Sequence, residues 1–326
     1  MLAIGPGGAL HVVGGAVEAG SLVLGGGGRL CFDSGTVDAG SLILEICGTV
    51  RLGFDFTLTD LLSGTLTHGT VDLSEGTVEV GNGATALHNG ASAGLGRPHV
   101  ADGSLIVSGG SDLSALEVLN DGLLAVMQST FAADGLTNHG QLLLVDSTVN
   151  APVHNPVGEA IDVIGTVTFN RLVSGAGGIC GSGTAVLDGG HSPGDSTAVV
   201  SVQGDLVYGP ANTLFVELGG LLEGEYDCVQ VAGDVTLDGA LSASPVNGFA
   251  LAPNQAFEIL DVGGALAGQF AGLDEGGLVG TFGRDLFITY AAGDGNDVAL
   301  FTVPEPATLA LLALGSLGVL VRRRQA

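Results

Sequence analysis

Lysine is absent from this chain of 326 residues, and its eight basic side chains are all arginine, three of them at positions 322–324. The body ahead of those three is almost purely acidic, and the whole chain carries a formal net charge of −26. Such a surface repels phosphate backbones and offers no basic patch, which excludes nucleic acid as a partner. Tryptophan is absent too, and only three tyrosines occur. The aromatic platforms that sugar-binding clefts favour are therefore scarce.

The four cysteines, Cys31, Cys47, Cys180 and Cys228, form no CxxC pair, which argues against a zinc or thioredoxin-like site. In an exported chain their even number permits disulfides, with Cys31 and Cys47 closest in sequence, while single buried thiols fit equally well. The opening residues MLAIGPGGALHVVGG have neither a basic region nor a sufficiently long apolar run, so they do not read as a secretory leader. If the chain is exported, a leader is expected ahead of this start, within a longer gene product.

Glycine fills 58 positions, without the three-residue period of collagen, and apolar residues remain too frequent for disorder. The first 200 residues repeat. Gly15-Ala-Val-Glu-Ala-Gly-Ser-Leu-Val-Leu24 recurs as Gly35-Thr-Val-Asp-Ala-Gly-Ser-Leu-Ile-Leu44, offset by 20 residues. Looser copies begin at Gly103, Gly122, Gly140, Gly165, Gly183 and Gly204. A period near 20 with short strands and Gly-rich corners is what a β-solenoid needs, because every coil must return the chain to stack on its predecessor. Alternation such as Leu42, Leu44, Ile46 or Leu142, Leu144 sends one set of side chains into that stack.

Asn120, Asn138 and Asn155 are spaced by 18 and 17 residues and predict a ladder in which stacked side chains bond from coil to coil; Asn89 sits in a matching context. Past Cys180 the order HSPGDS, then Val202–Tyr208, Asn212–Leu218 and Tyr226–Leu241, resembles autotransporter-associated β-strand repeats over roughly residues 180–302. That resemblance implies architecture: HSPGDS as a turn at the solenoid edge, and Tyr226-Asp227 as the start of a coil. Phe257–Leu260, Leu286–Tyr290 and Val298–Phe301 read as strands that cap the stack or form a small terminal sandwich, protecting its open edge.

The end of the chain has three parts. Pro304-Glu305-Pro306 is followed by an uncharged stretch, 307–321, and then by Arg322, Arg323 and Arg324. The prolines stop the preceding strand. As a helix the apolar stretch would span about 22 Å, short of the ~20 residues of a stable membrane crossing, so a transient membrane stop is expected. The three arginines would keep the end on the cytoplasmic side.

This order resembles the PEP-CTERM sorting signal. The resemblance implies recognition by an exosortase, cleavage near the motif, and transfer to the envelope or exopolysaccharide matrix.

Chemistry is harder to find. A β-helical polysaccharide lyase or hydrolase is the enzyme alternative, but a lyase commonly needs a basic residue beside a carboxylate, and lysine is missing. The many acids supply carboxylate pairs, such as Asp60 with Asp72, without singling one out. Arg97 and His99 near Asp102 have no serine in a nucleophile-elbow context, and His191-Ser192 with Asp195 reads as the solenoid turn. Gly293–Leu300 resembles a single nonapeptide of the RTX calcium repeat, which makes Asp294 and Asp297 the calcium candidates and a calcium-dependent adhesin a further alternative.

The expectation is thus an all-β, non-catalytic protein without a cofactor other than that calcium candidate. A right-handed parallel β-helix or related β-solenoid occupies residues 1–200, terminal coils and a β-rich C-terminal cap occupy 201–302, and a sorting signal with one short transmembrane helix occupies 303–326. Its expected partners are an exosortase, exopolysaccharide or envelope components, and the membrane through residues 307–321. The expected place is the envelope, surface or extracellular matrix after a transient inner-membrane stage.

Overall fold

The computed structural model describes residues 112–304 without a break and, before them, residues 2–110 apart from stretches between strands, with side-chain packing defined within 98–304. The architecture is a parallel β-solenoid. Among the described residues, a 13-stranded sheet takes a strand from each successive coil from Phe56–Thr57 to Ala256–Val262 and ends in three further strands, while the other strands of the coils and those of the first coils join a 21-stranded sheet. Among the described residues there is no helix, and none long and apolar enough to cross a membrane.

The repeat in the sequence is the register of the sheets. Gly15 pairs with Gly35 and Ala19 with Ala39, while Leu22 pairs with Leu42 and Leu24 with Leu44. A 20-residue offset therefore places like over like.

The same logic builds the core. Leu105, Leu124, Leu142, Ile161 and Ile179 succeed one another in register, and the column continues through Val202, Val231 and Val262. All eight are buried. Strand alternation selects them, as in the pattern of exposed, buried, intermediate, buried, intermediate over Gln141–Val145. Each contributes on the order of 1.5–3 kcal/mol by leaving water.

The facing column runs Leu113, Phe131, Val149, Phe169, Leu187 and Tyr208. Aliphatic and aromatic rungs alternate, and all six are buried. Here the long strands Asp112–Asn120 and Thr130–Asn138 give way to shorter pieces, Thr148–Asn150 and Val153–His154, broken around Ala151-Pro152. Proline has no N–H to give a ladder, which fits a corner at this place.

Two polar devices lock coil to coil. In the first, Asn120 Nδ2 donates to Asn138 Oδ1 at 2.7 Å, and Asn138 Nδ2 donates to Asn155 Oδ1 at 2.9 Å. These three buried amides form the ladder that the 18- and 17-residue spacings predict. Asn89 lies outside the described residues.

The second device pairs turn aspartates with backbone N–H groups of the next coil. Asp146 accepts from Thr166, Asp188 from Ala211, Asp205 from Asp234 and Asp234 from Ala265, at 2.8–3.1 Å. One or two residues ahead of each donor stands Gly165, Gly209, Gly233 or Gly264, where an added Cβ would lie within 2.4 Å of that aspartate's Oδ1. Glycines at these corners also stack on one another, since a Cβ on Gly204 would meet the Gly183 carbonyl oxygen at 2.0 Å. These aspartates and glycines thus serve the stacking of coils.

His191 departs from the sequence-based expectation. The HSPGDS segment is not all turn: His191–Pro193 is a strand, and the bend follows at Asp195. The imidazole faces the core, 2.9 Å from the Tyr208 hydroxyl, and burial pushes its pKa down to about 4. Asp195 lies instead 3.6 Å from His154. Tyr226-Asp227 does open a coil, ahead of the strand Cys228–Val231.

In the 13-stranded sheet parallel stacking ends at Ala256–Val262, and in the other sheet Leu266–Gly268 makes the last parallel pairing. The strand Asp297–Thr302 pairs with Ala256–Val262 in the antiparallel sense, Asp285–Ala292 adds to that, and Leu278–Thr281 closes the edge. The terminal strands are therefore a cap continuous with the solenoid sheet and not a separate sandwich. The short outer strand fits the usual protection of a sheet edge.

Candidate functional site

The C-terminal segment leaves the body from the middle of this cap. Asp297–Thr302 has a neighbour on each side: Ala256 pairs with Phe301 and Leu286 with Thr302. Thr302, 3 % exposed, is fastened further. Its N–H donates to the Gln255 carbonyl at 2.9 Å, its hydroxyl accepts from the Gln255 N–H at 3.0 Å, and the same hydroxyl donates to the Ala252 carbonyl at 2.6 Å.

Immediately beyond, the chain is in water. Val303 is 45 % exposed and Pro304 is exposed as well. Proline explains the abrupt end, because Pro304 has no N–H to continue the ladder and restricts Val303 before it. Of the predicted motif, Pro304 is therefore placed at the surface, one residue past the last strand. Glu305, Pro306, the apolar stretch 307–321 and Arg322, Arg323 and Arg324 lie outside the described residues.

On the opposite end of that last strand is an acidic group. Carboxylate oxygens of Glu258, Asp261 and Asp297 lie within 4.8 Å of one another. Asp297 is buried and holds the cap to the last coil: Oδ1 accepts from the Val262 N–H at 2.7 Å and Oδ2 from the Asp294 N–H at 3.2 Å. Asn296 adds a bond to the Val262 carbonyl at 2.8 Å. Partial burial, together with the charges of Asp297, Asp261 and Asp294, pushes the Glu258 carboxyl above its ordinary range.

Of the two sequence-predicted calcium candidates, then, Asp297 belongs to this cluster, while Asp294 is exposed and meets it through its backbone N–H. Glu258 and Asp261 come from the neighbouring strand Ala256–Val262, well upstream in sequence and without any local motif, so a nonapeptide search could not reveal them.

Other candidates are dispersed. His99 pairs with Asp121 at 2.7 Å, the two side chains 38 % and 41 % exposed. Asp102 and Asp60 lie outside the described residues, as does the side chain of Arg97. Cys180 and Cys228 are free thiols. Burial and nearby carboxylates push the Cys228 thiol up to about 12, which makes it a poor nucleophile at neutral pH. Cys47 and the side chain of Cys31 lie outside the described residues.

Asp227 is the most perturbed acid. Its carboxylate accepts from the Ala198 and Glu217 N–H groups at 2.8 and 2.7 Å, yet burial pushes its pKa up to about 7. It ties the start of its own coil to the backbone of the preceding one.

Comparison with known proteins bears on the exit. Residues 302–325 match the family model described as the PEP-CTERM protein-sorting motif. No curated protein matches the chain. The match begins at Thr302, the residue at which the fold ends, so the body and the sorting signal meet without a linker. The chain carries a PEP-CTERM signal, which makes it an exported protein sorted through an exosortase to the surface or a membrane-associated place.

Proposed function

We propose that this exported protein is a non-catalytic structural component of the cell surface or exopolysaccharide matrix, acting as a stiff, acidic rod. The observation that carries the reading is the use made of its polar groups. Asp146, Asp188, Asp205 and Asp234 each bond the backbone of the next coil, and Asn120, Asn138 and Asn155 bond one another inside the stack. These seven side chains are invested in stacking, and the acids of the chain far outnumber its arginines, 34 to 8. Such an excess of acid suits retention among hydrated polymers and the exclusion of nonspecific association.

The test is fractionation of a host producing the full gene, with and without its exosortase. The expected result is a chain held in the envelope or matrix fraction when the exosortase is present and left in the inner membrane when it is absent. Depolymerisation of acidic polysaccharide by the purified body would overturn the structural reading and restore a β-helical lyase or hydrolase.

The group of Glu258, Asp261 and Asp297 favours one second reading, a calcium-dependent adhesin. It predicts that chelation releases cells from a surface; attachment indifferent to chelation counts against it.

A further inference from the structure

Two phenylalanines flank the place where the sorting segment leaves. Phe301 and Phe287 are directly paired across the two cap strands, with ring centroids 5.9 Å apart, and both rings remain partly exposed. Val303 follows, 45 % exposed. The exit thus presents an aromatic and aliphatic surface; exposed apolar side chains such as Phe215 and Leu222 also stand elsewhere on the body, and what sets these three apart is their place beside the departing segment. Cross-strand pairing accounts for the two rings touching each other, but not for their standing beside an exposed valine where the chain departs.

The covalent reach from this surface is short. Five residue steps from Thr302 to Ala307, at no more than ~3.6 Å each, keep the apolar stretch within about 18 Å of the cap. Thr302 itself cannot be drawn out to lengthen that reach while the cap is folded, because both edges of its strand are paired and its hydroxyl is bonded twice. An enzyme that engages Pro304 must therefore meet the cap face.

We propose that the cap rim formed by Phe287, Phe301 and Val303 is a docking surface for the exosortase, and that Thr302 is a positioning residue that limits the enzyme's grip on the upstream chain to Val303. This rests on the sorting reading above. Two consequences follow for the mature product: its new C-terminus lies at Val303 or beyond, and its cap stays whole.

The experiment uses the full chain in a host carrying the exosortase, with p-benzoylphenylalanine in place of Phe287. The same probe in place of Leu116, an exposed residue on the strand Asp112–Asn120, several coils back, serves as the distant control. Irradiation is expected to give an enzyme adduct from position 287, none above background from position 116, and loss of the adduct when Glu305→Ala and Pro306→Ala remove the motif. The intact mass of the processed chain is expected to place its end at or after residue 303.

Equal adducts from both positions, or none from 287 while processing proceeds, would overturn the docking surface. An adduct with lipid alone would assign the rim to the membrane instead. A terminus at or before Thr302 would overturn the positioning role. Processing that survives the motif substitutions would sink the sorting reading itself, a failure distinct from the others.

Discussion

The Asn120 side chain donates to the Asn138 side chain at 2.7 Å inside the solenoid, and Asn138 hands the same bond on to Asn155. Asn138 is the middle rung and has a second donor contact, 3.3 Å from the Ala160 carbonyl. Replacing it strands partners on both sides.

Asn138→Ala is expected to cost about 2–4 kcal/mol in urea unfolding, because buried groups left unpaired pay their desolvation in full. Asn138→Asp should cost more, since it adds a buried charge and cannot donate to Asn155. Asn170→Ala provides the contrast. Its bond to Asn150 is equally short at 2.7 Å but exposed, and the loss should be about 0.5 kcal/mol or less.

His191 and Asp227 pull stability in opposite directions with pH. His191 is depressed to about 4, so the unfolded chain binds its proton first; the stability it contributes is present above about 6.5 and lost as pH falls toward 4. Asp227 is raised to about 7, so the folded chain binds its proton first; that contribution is present below about 3.8 and lost as pH rises through 7. The two slopes oppose one another between pH 4 and 6.5, each worth on the order of 3 kcal/mol across its window.

Urea midpoints across that range should therefore change little for the wild-type chain on account of these two groups. Asp227→Asn should show stability rising with pH, and His191→Gln should show it falling. Parallel profiles for all three chains would refute the assignment.

Glycine substitutions should separate by what a Cβ would meet. Gly204→Ala places a methyl 2.0 Å from the Gly183 carbonyl oxygen, a backbone atom that cannot swing away. A loss of about 3 kcal/mol or more, or failure to fold, is expected. Gly135→Ala meets nothing within 4 Å and should be neutral or mildly stabilising by about 0.5 kcal/mol. Thermal unfolding of the two variants side by side checks this.

Glu258 tests calcium. With no cation bound, Glu258→Gln relieves repulsion by Asp261 and Asp297 and should raise stability by roughly a few tenths of a kcal/mol at neutral pH. If calcium occupies the cluster, added Ca²⁺ raises the melting temperature of the wild-type chain, and the same substitution removes that rise. Calorimetry with Ca²⁺ and with chelator reads both.

The coil register was legible because stacking demands repetition. The copies at Gly15 and Gly35, and the spacing of Asn120, Asn138 and Asn155, are direct imprints of one coil lying on the next. The bonds of Asp188 and Asp205 to the following coil were not legible. Their donors are backbone N–H groups, which carry no side-chain signature, and they lie 23 and 29 residues away as the coils lengthen.

His191 was misjudged for a related reason. Pro193 and Gly194 signal a turn locally, but the imidazole is drawn inward by a hydroxyl supplied one coil later. At the candidate site, Pro304 could be read from sequence, and the strand patterns pointed to a cap. The threefold fastening of Thr302 could not be read, since its partners Gln255 and Ala252 lie nearly 50 residues upstream.

The coil-to-coil aspartate and glycine pairs have a consequence for size. Each coil recognises only the one below and the one above, so nothing in the stack counts how many there are. Duplicating a 20-residue unit such as Gly15–Ser34 would lengthen the rod by one strand spacing, about 4.8 Å, without disturbing either end. The length of the stack could thus be adjusted in small, nearly equal increments by copying DNA in register, with the cap and the sorting signal behind it carried along unchanged.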